Sequence, residues 1–137
     1  MGLILDSSVL IKAERQGQNA RHVLMAISHT AGEMEIALSV VTLIELAHGA
    51  ARADTTDRRE KRQQFIQELV MALPIYPVTV PIALRVGHID GESQAKGVRL
   101  PLADLLIGGT ALELDYGVAT ANLRHFQKIP GLTVVPL

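Results

Sequence analysis

Five short apolar runs punctuate this chain, and almost everything between them has the period of a helix. The runs are Leu3–Leu5, Glu35–Ser39, "IYPV" from Ile75, "VATA" from Val118 and "LTVV" from Leu132. A short apolar stretch of strand length fits a strand buried on both faces. Strands separated by helices are brought back parallel to one another. The pattern therefore predicts an α/β fold in which a central parallel sheet lies between two layers of helices. A length of 137 residues suits one domain, 1–137, with no repeat, low-complexity tract or linker to divide it. Pro77 places the third run at a sheet edge or a strand end.

The helical segments are Val9–Arg15, Ala20–His29 (broken by Gly32), "VVTLIELAHGAARA" from Val40, and a longer amphipathic helix ending near Leu73. In the third, Val40, Leu43, Ile44, Ala47 and Ala51 make the apolar stripe. In the fourth, Asp57 and Glu60 have capping-box spacing, and Arg62, Phe65, Ile66, Leu69, Val70 and Leu73 share a face. The polar stretch Ala53–Arg62 reads as a surface excursion. Two more helices are expected over Pro81–Ala95 and from Pro101 to about Tyr116, the latter ended by Gly117. Gly108 and Gly109 weaken that last helix by up to ~1 kcal/mol each relative to Ala, which points to close packing against another element.

Aromatic residues make up only 3% of the chain, so Leu, Val, Ile and Ala must build the core. The formal net charge of −1 gives no global field toward nucleic acid, and such a partner would need a local basic patch. There is no cysteine, which excludes disulfides, thiolate chemistry and Cys-based zinc sites, and fits a reducing cytoplasm. The N-terminal apolar run is too short and lacks the basic flank of a signal peptide. No run reaches the ~18 apolar residues of a membrane helix. The expectation is a cytoplasmic protein without a membrane partner.

Three acids stand where local structure does not ask for them. Asp6 follows the first strand, at the sheet edge where open parallel α/β proteins bind ligands. It has an alternative use as a helix cap shared with Ser7 or Ser8. Asp104 is the only charge in "LPLADLLIGGTAL". An unpaired buried carboxylate is costly, although a place in the first helical turn favours a carboxylate by a few tenths to ~1 kcal/mol. Glu45 closes Thr42-Leu43-Ile44-Glu45, a capping box as written, yet it also shares a polar face with Thr42, His48 and Arg52. A parallel sheet can gather all three acids at one edge. Clustered carboxylates raise one another's pKa and call for a hard, oxygen-loving cation such as Mg²⁺, or Mn²⁺.

With these residues in view, the chain resembles the PIN-domain family, and more closely its VapC-type toxin ribonucleases, over nearly its whole length. The likeness rests on "LILDSSVLI" with Asp6 and Ser8, "LSVVTLIELAHG" with Glu45, "LPLADLLIGGTALEL" with Asp104, and "VATANLRHF" with Thr120 and Asn122. The resemblance implies a PIN-like three-layer α/β/α fold and metal-dependent endonucleolytic cleavage of RNA that leaves a 5′-phosphate and a 3′-hydroxyl. Asp6, Glu45 and Asp104 would be both the metal-binding and the catalytic acids. Ser8 would hydrogen-bond within the cluster, and Thr120 and Asn122 would form its far wall. It also implies a small cognate antitoxin and a homodimer. Many PIN domains carry a fourth acid where Asn122 stands, which favours one firmly bound cation and leaves an inactive RNA- or protein-binding module as the alternative. Asp115 lies upstream of that strand and is not a substitute.

Arg15, Arg52, Arg99 and Arg124 are the candidate phosphate contacts. The denser run "RREKR" fits a solvated helix face. With two Phe and two Tyr there is little aromatic surface for stacking bases. His22, His29 and His48 are poor catalytic candidates, and His125 either touches RNA or packs. An antitoxin would need an apolar groove, for which "FIQELVMAL" offers one possible wall. Among rival enzymes, a haloacid-dehalogenase-like phosphoryl transferase would place a second Asp two residues after the first, where this chain has Ser8. In a purely structural domain the acids would be caps and surface charges.

Overall fold

The computed structural model describes residues 1–137. The chain runs β1 (Gly2–Leu5), α1 (Ser7–Arg15), α2 (Ala20–Ala31), β2 (Glu35–Ser39), α3 (Val40–Ala51), α4 (Thr56–Ala72), β3 (Ile75–Tyr76), α5 (Val80–Ala95), α6 (Leu102–Leu114), β4 (Gly117–Thr120), α7 (Leu123–Phe126) and β5 (Val134–Pro136). The strands form one sheet in the order β3-β2-β1-β4-β5, with every neighbouring pair parallel. β3 shrinks to two residues at the sheet edge, ending before Pro77, whose missing N–H is not needed there.

Successive strand side chains point to opposite faces, so each strand feeds two cores. Leu3, Leu5, Leu38 and Ala119 pack with Leu10, Val23, Ile27, Phe65 and Leu69 beneath α1, α2 and α4. Ile4, Ala37 and Val118 pack with Ile82, Val86, Leu105, Ile107 and Phe126 beneath α5, α6 and α7. The result is the three-layer α/β/α arrangement expected from the alternation. α6 lies tight against its neighbours because of its two glycines. A Cβ on Gly108 would stand 2.7 Å from Ile129 Cδ1, and one on Gly109 would stand 2.5 Å from Val86 Cγ2.

Several local expectations are overturned. In α3 the buried residues are Val41, Thr42, Leu46 and Ala50. Ile44 is 65% exposed, and Ala47 and Ala51 also face solvent. The helix is apolar nearly all round, so its period alone admits more than one inner face, and the buried side is set by the sheet. The Thr42–Glu45 capping box does not form. Ser39 caps α3 by accepting from Val41 N, and Thr42 Oγ1 donates to the carbonyl of Leu5 at 3.2 Å. Asp57 and Glu60 do not cap α4 either. Thr55 does, accepting from Arg58 N at 3.1 Å, so most of the supposed surface excursion is the first half of this helix. α6 ends at Leu114 rather than Tyr116, with Asp115 in the left-handed region (φ 58°), and Gly117 opens β4 instead of closing the helix. The single-turn helix α7 was not expected. No helix is long and apolar enough to cross a membrane.

Candidate active site

The strand order reverses direction between β1 and β4, which is where open parallel sheets leave a crevice beyond the strands' carboxyl ends. β1 and β2 each run almost directly into a helix there. Asp6 alone separates β1 from α1, and nothing separates β2 from α3. These abrupt joins fix where the polar side chains fall.

Asp6 is 4% exposed and occupies the N-cap position of α1, yet its side chain makes no cap hydrogen bond. Instead Oδ2 accepts from Ser8 Oγ at 2.6 Å and from Thr120 Oγ1 at 2.9 Å. Each hydroxyl is in turn aimed by a backbone donor just past β4. Ala121 N donates to Ser8 Oγ at 3.1 Å, and Asn122 N donates to Thr120 Oγ1 at 2.8 Å. Two parallel relays therefore run from peptide N–H through a hydroxyl to one carboxylate oxygen, each polarising the next bond. The Ser8 Oγ···Thr120 Oγ1 contact of 3.2 Å is then two donors sharing an acceptor.

Glu45 reaches the same crevice from α3, where its Oε1 accepts from Ser7 Oγ at 3.0 Å. Asp104 enters from the first turn of α6, and its Oδ2 lies 2.8 Å from His125 Nδ1. Burial is the main reason that Glu45 and Asp104 both have raised pKa values. The Asp6 carboxylate adds to the rise in each, and Asp104 adds to that of Glu45. Hydrogen bonds from Ser7 and His125 oppose it. The structure thus brings Asp6, Glu45 and Asp104 into mutual electrostatic range.

The donor set has a consistent form. Each acid commits one oxygen to a neutral or imidazole donor, and Asp6 Oδ1, Glu45 Oε2 and Asp104 Oδ1 accept nothing from the protein. None of the three pairs with Lys or Arg. No buried side-chain oxygen lacks a partner, so the uncommitted oxygens remain reachable. Uncommitted carboxylate oxygens without a basic neighbour are the ligands a hard divalent cation takes. No three acidic or imidazole groups already close around an ion-sized point.

Ser8 and Thr120 both donate to Asp6. Asn122 lies at the rim, with its side-chain amide 2.9 Å from His125 Nδ1. Two participants were not assigned to the site from the sequence, Ser7 on Glu45 and His125 on Asp104. Arg15, Arg52, Arg99 and Arg124 are all exposed, and none forms an ion pair within the chain. Arg15 and Glu45 border one small hollow with Ile11, Leu46 and Phe65. The "RREKR" run is largely neutralised on its own surface, with Arg58 on Asp54, Lys61 on Asp57 and Arg62 on Glu14. Away from the acids, a groove of about 1250 Å³ runs between α2 and α4 and includes Leu24, Met25 and Met71.

A sequence model of the PIN domain matches residues 3–132. The chain is 32% identical over 130 residues to Ribonuclease VapC10 of Mycobacterium tuberculosis, covering 95% of this chain and 90% of that protein. It is 27% identical over 135 residues to Ribonuclease VapC1 of Rickettsia felis, covering 98% and 96% respectively. In fold it is similar to a chain in the crystal structure of VapBC2 from Rickettsia felis bound to a DNA fragment from their promoter. That match has a TM-score of 0.84 at 21% identity, covering 100% of this chain and 99% of that one.

Proposed function

The chain belongs to the PIN domain family and, within it, to the VapC ribonucleases, and from that membership we propose that it is the toxin of a toxin–antitoxin pair, an endoribonuclease that hydrolyses RNA phosphodiester bonds at the Asp6, Glu45 and Asp104 cluster. The observation that carries the placement is the form of the donor set. Three carboxylates each keep one oxygen free, and no Lys or Arg pairs with them, His125 alone standing against Asp104. This supports a dependence on Mg²⁺, with Mn²⁺ as an alternative.

Asp6 and Asp104 would hold the cation through Oδ1 of each. When bound, such an ion lowers the pKa of a coordinated water and stabilises negative charge on the phosphate oxygens. Asp6 is the most rigidly held of the three, through its two hydroxyl relays. Glu45 is the natural proton acceptor for the attacking water, because its Oε2 accepts nothing from the protein; in the metal-free chain burial and its two acidic neighbours raise its pKa. Water adds to phosphorus, Glu45 takes its proton at Oε2, the bond from phosphorus to the 3′ oxygen breaks, and that oxygen takes a proton from solvent. The products are a 3′-hydroxyl and a 5′-phosphate. Arg15, Arg52, Arg99 and Arg124, all exposed and without an ion-pair partner in the chain, are the phosphate contacts that this reading favours, and Arg15 shares a hollow with Glu45.

The partner assignments rest on exposed apolar surface. The groove between α2 and α4 would receive a segment of the small antitoxin. Of the "FIQELVMAL" residues, Gln67, Glu68, Met71 and Ala72 line it, while Phe65 and Leu69 belong to the core. Val80 and Leu84 on α5, with Leu102 at the start of α6, are 63–73% exposed and would form the face of a homodimer.

Calorimetric titration of Mn²⁺ into wild type, Asp6→Asn and Asp104→Asn, beside a cleavage assay on total RNA, tests the proposal. Binding and cleavage by wild type alone are expected. Wild-type binding without cleavage would leave an inactive module, and cleavage that survives both substitutions would remove these acids from the chemistry.

A further inference from the structure

Asp104 is the one acid of the cluster held by a ring nitrogen instead of a hydroxyl, and that ring sits on α7. This helix has a single turn, but it is firmly seated. Phe126, next to His125, is completely buried under α6. His125 itself is half-buried, its side chain 38% exposed against 13% for Asp104.

With Asp104 ionised, the hydrogen-bond partners select the tautomer of the ring. Nδ1 lies 2.8 Å from Asp104 Oδ2 and 2.9 Å from the amide end of Asn122. An ionised carboxylate only accepts, so Nδ1 must carry a hydrogen directed at Oδ2. A protonated Nδ1 has no lone pair for an N–H from Asn122. The Asn122 amide therefore turns its oxygen to the ring, by a half-turn that exchanges its two ends. With Nδ1 occupied in this way, Nε2 keeps the lone pair of the neutral ring. The Nδ1–H bond also decides which Asp104 oxygen is spent and which remains free.

We propose that His125 is a positioning residue for Asp104: its Nδ1–H fixes the carboxylate so that Oδ1 is presented to the cation. This rests on the cation site proposed above. Partners of this kind behind a ligating carboxylate typically change metal affinity by ~10–100-fold.

Asn and Gln discriminate between the two ring nitrogens, since the Asn side-chain nitrogen reaches the place of Nδ1 and that of Gln the place of Nε2. Mn²⁺ is titrated calorimetrically into wild type, His125→Ala, His125→Asn and His125→Gln, and unfolding midpoints are measured on the same samples. The expected affinity losses are about 10–100-fold for Ala and Gln, with Asn recovering most of the loss. In parallel, ¹⁵N NMR of the metal-free wild type near pH 8, where an ordinary imidazole is neutral, should show the hydrogen on Nδ1. Wild-type affinity in His125→Ala would overturn the proposal, even with lowered stability, because His125 would then be only a brace between α6 and α7. An Asn variant as weak as Ala, or a hydrogen found on Nε2, would overturn it too. If wild type binds no Mn²⁺, the cation site falls and this role falls with it. In the other failures wild-type binding survives.

Discussion

Replacing Thr120 by Val tests how the site is held together, because the two side chains differ little in shape and the change removes one hydroxyl. Thr120 is completely buried, and its Oγ1 serves two bonds. It donates to Asp6 Oδ2 at 2.9 Å and accepts from Asn122 N at 2.8 Å. Losing a donor to a buried carboxylate costs about 1.5–3 kcal/mol, and stranding a partly buried N–H costs about 1 kcal/mol or more. Ser8 still donates to the same oxygen, so the losses do not add in full. The expected destabilisation is about 2–4 kcal/mol. With unfolding entropy near 2.1 cal/mol/K per residue, ~1 kcal/mol corresponds to about 3.5 °C in a chain of 137 residues, so Tm should fall by roughly 7–14 °C. Thr120→Ser keeps the hydroxyl, loses one methyl, and should cost only ~1 kcal/mol. Urea unfolding of both variants in chelator provides the measurement. A Val variant at least as stable as the Ser variant would refute the view that the relay is what retains Asp6 in its buried place.

Two further outcomes follow from the same structure. Glu45 and Asp104 have folded pKa values raised above the ordinary 4.5 and 3.8, so between those values and the folded ones the native state holds the extra protons. Metal-free protein should therefore lose stability as pH rises through that window, and urea midpoints across it should show a flatter decline in Glu45→Gln. In α6, Gly109→Ala should be the costlier of two neighbouring changes. Its Cβ meets Val86 Cγ2 on a stiff β-branched side chain, whereas Gly108→Ala meets the movable Cδ1 tip of Ile129. We expect a net loss of about 1–2 kcal/mol for Gly109→Ala after the helix-propensity gain, and a smaller one for Gly108→Ala, read from denaturation midpoints.

What the sequence disclosed was what neighbouring residues decide. The bounds of β2 and the location of Asp6 at a strand end follow from a few adjacent residues. So do the close packing at Gly108 and Gly109 and the start of α6 after Pro101. The misread features depend on partners far along the chain. Thr42 looked like a cap because its own segment contains a capping box, and only the carbonyl of Leu5 explains its burial inside α3. The inner face of α3 was misassigned for the same reason, since an almost wholly apolar helix does not reveal which side meets the sheet. His125 left no local sign of its role, because the carboxylate it holds lies 21 residues earlier. Asp115 takes a left-handed conformation more usual for glycine, so the end of α6 was sought at Gly117.

The relays at Asp6 also set an order in time. Asp6 and Ser8 are synthesised before Thr120, which lies 114 positions downstream of the carboxylate it steadies. At about 5–20 residues per second, roughly 6–23 s separate them on the ribosome. Through that interval the nascent chain carries the first acid of its cluster without the hydroxyl and the two peptide N–H groups that hold it. The cluster becomes whole only when β4 docks beside β1, so a chain interrupted before Thr120 has its acids without the hydroxyl and peptide N–H groups that arrange them.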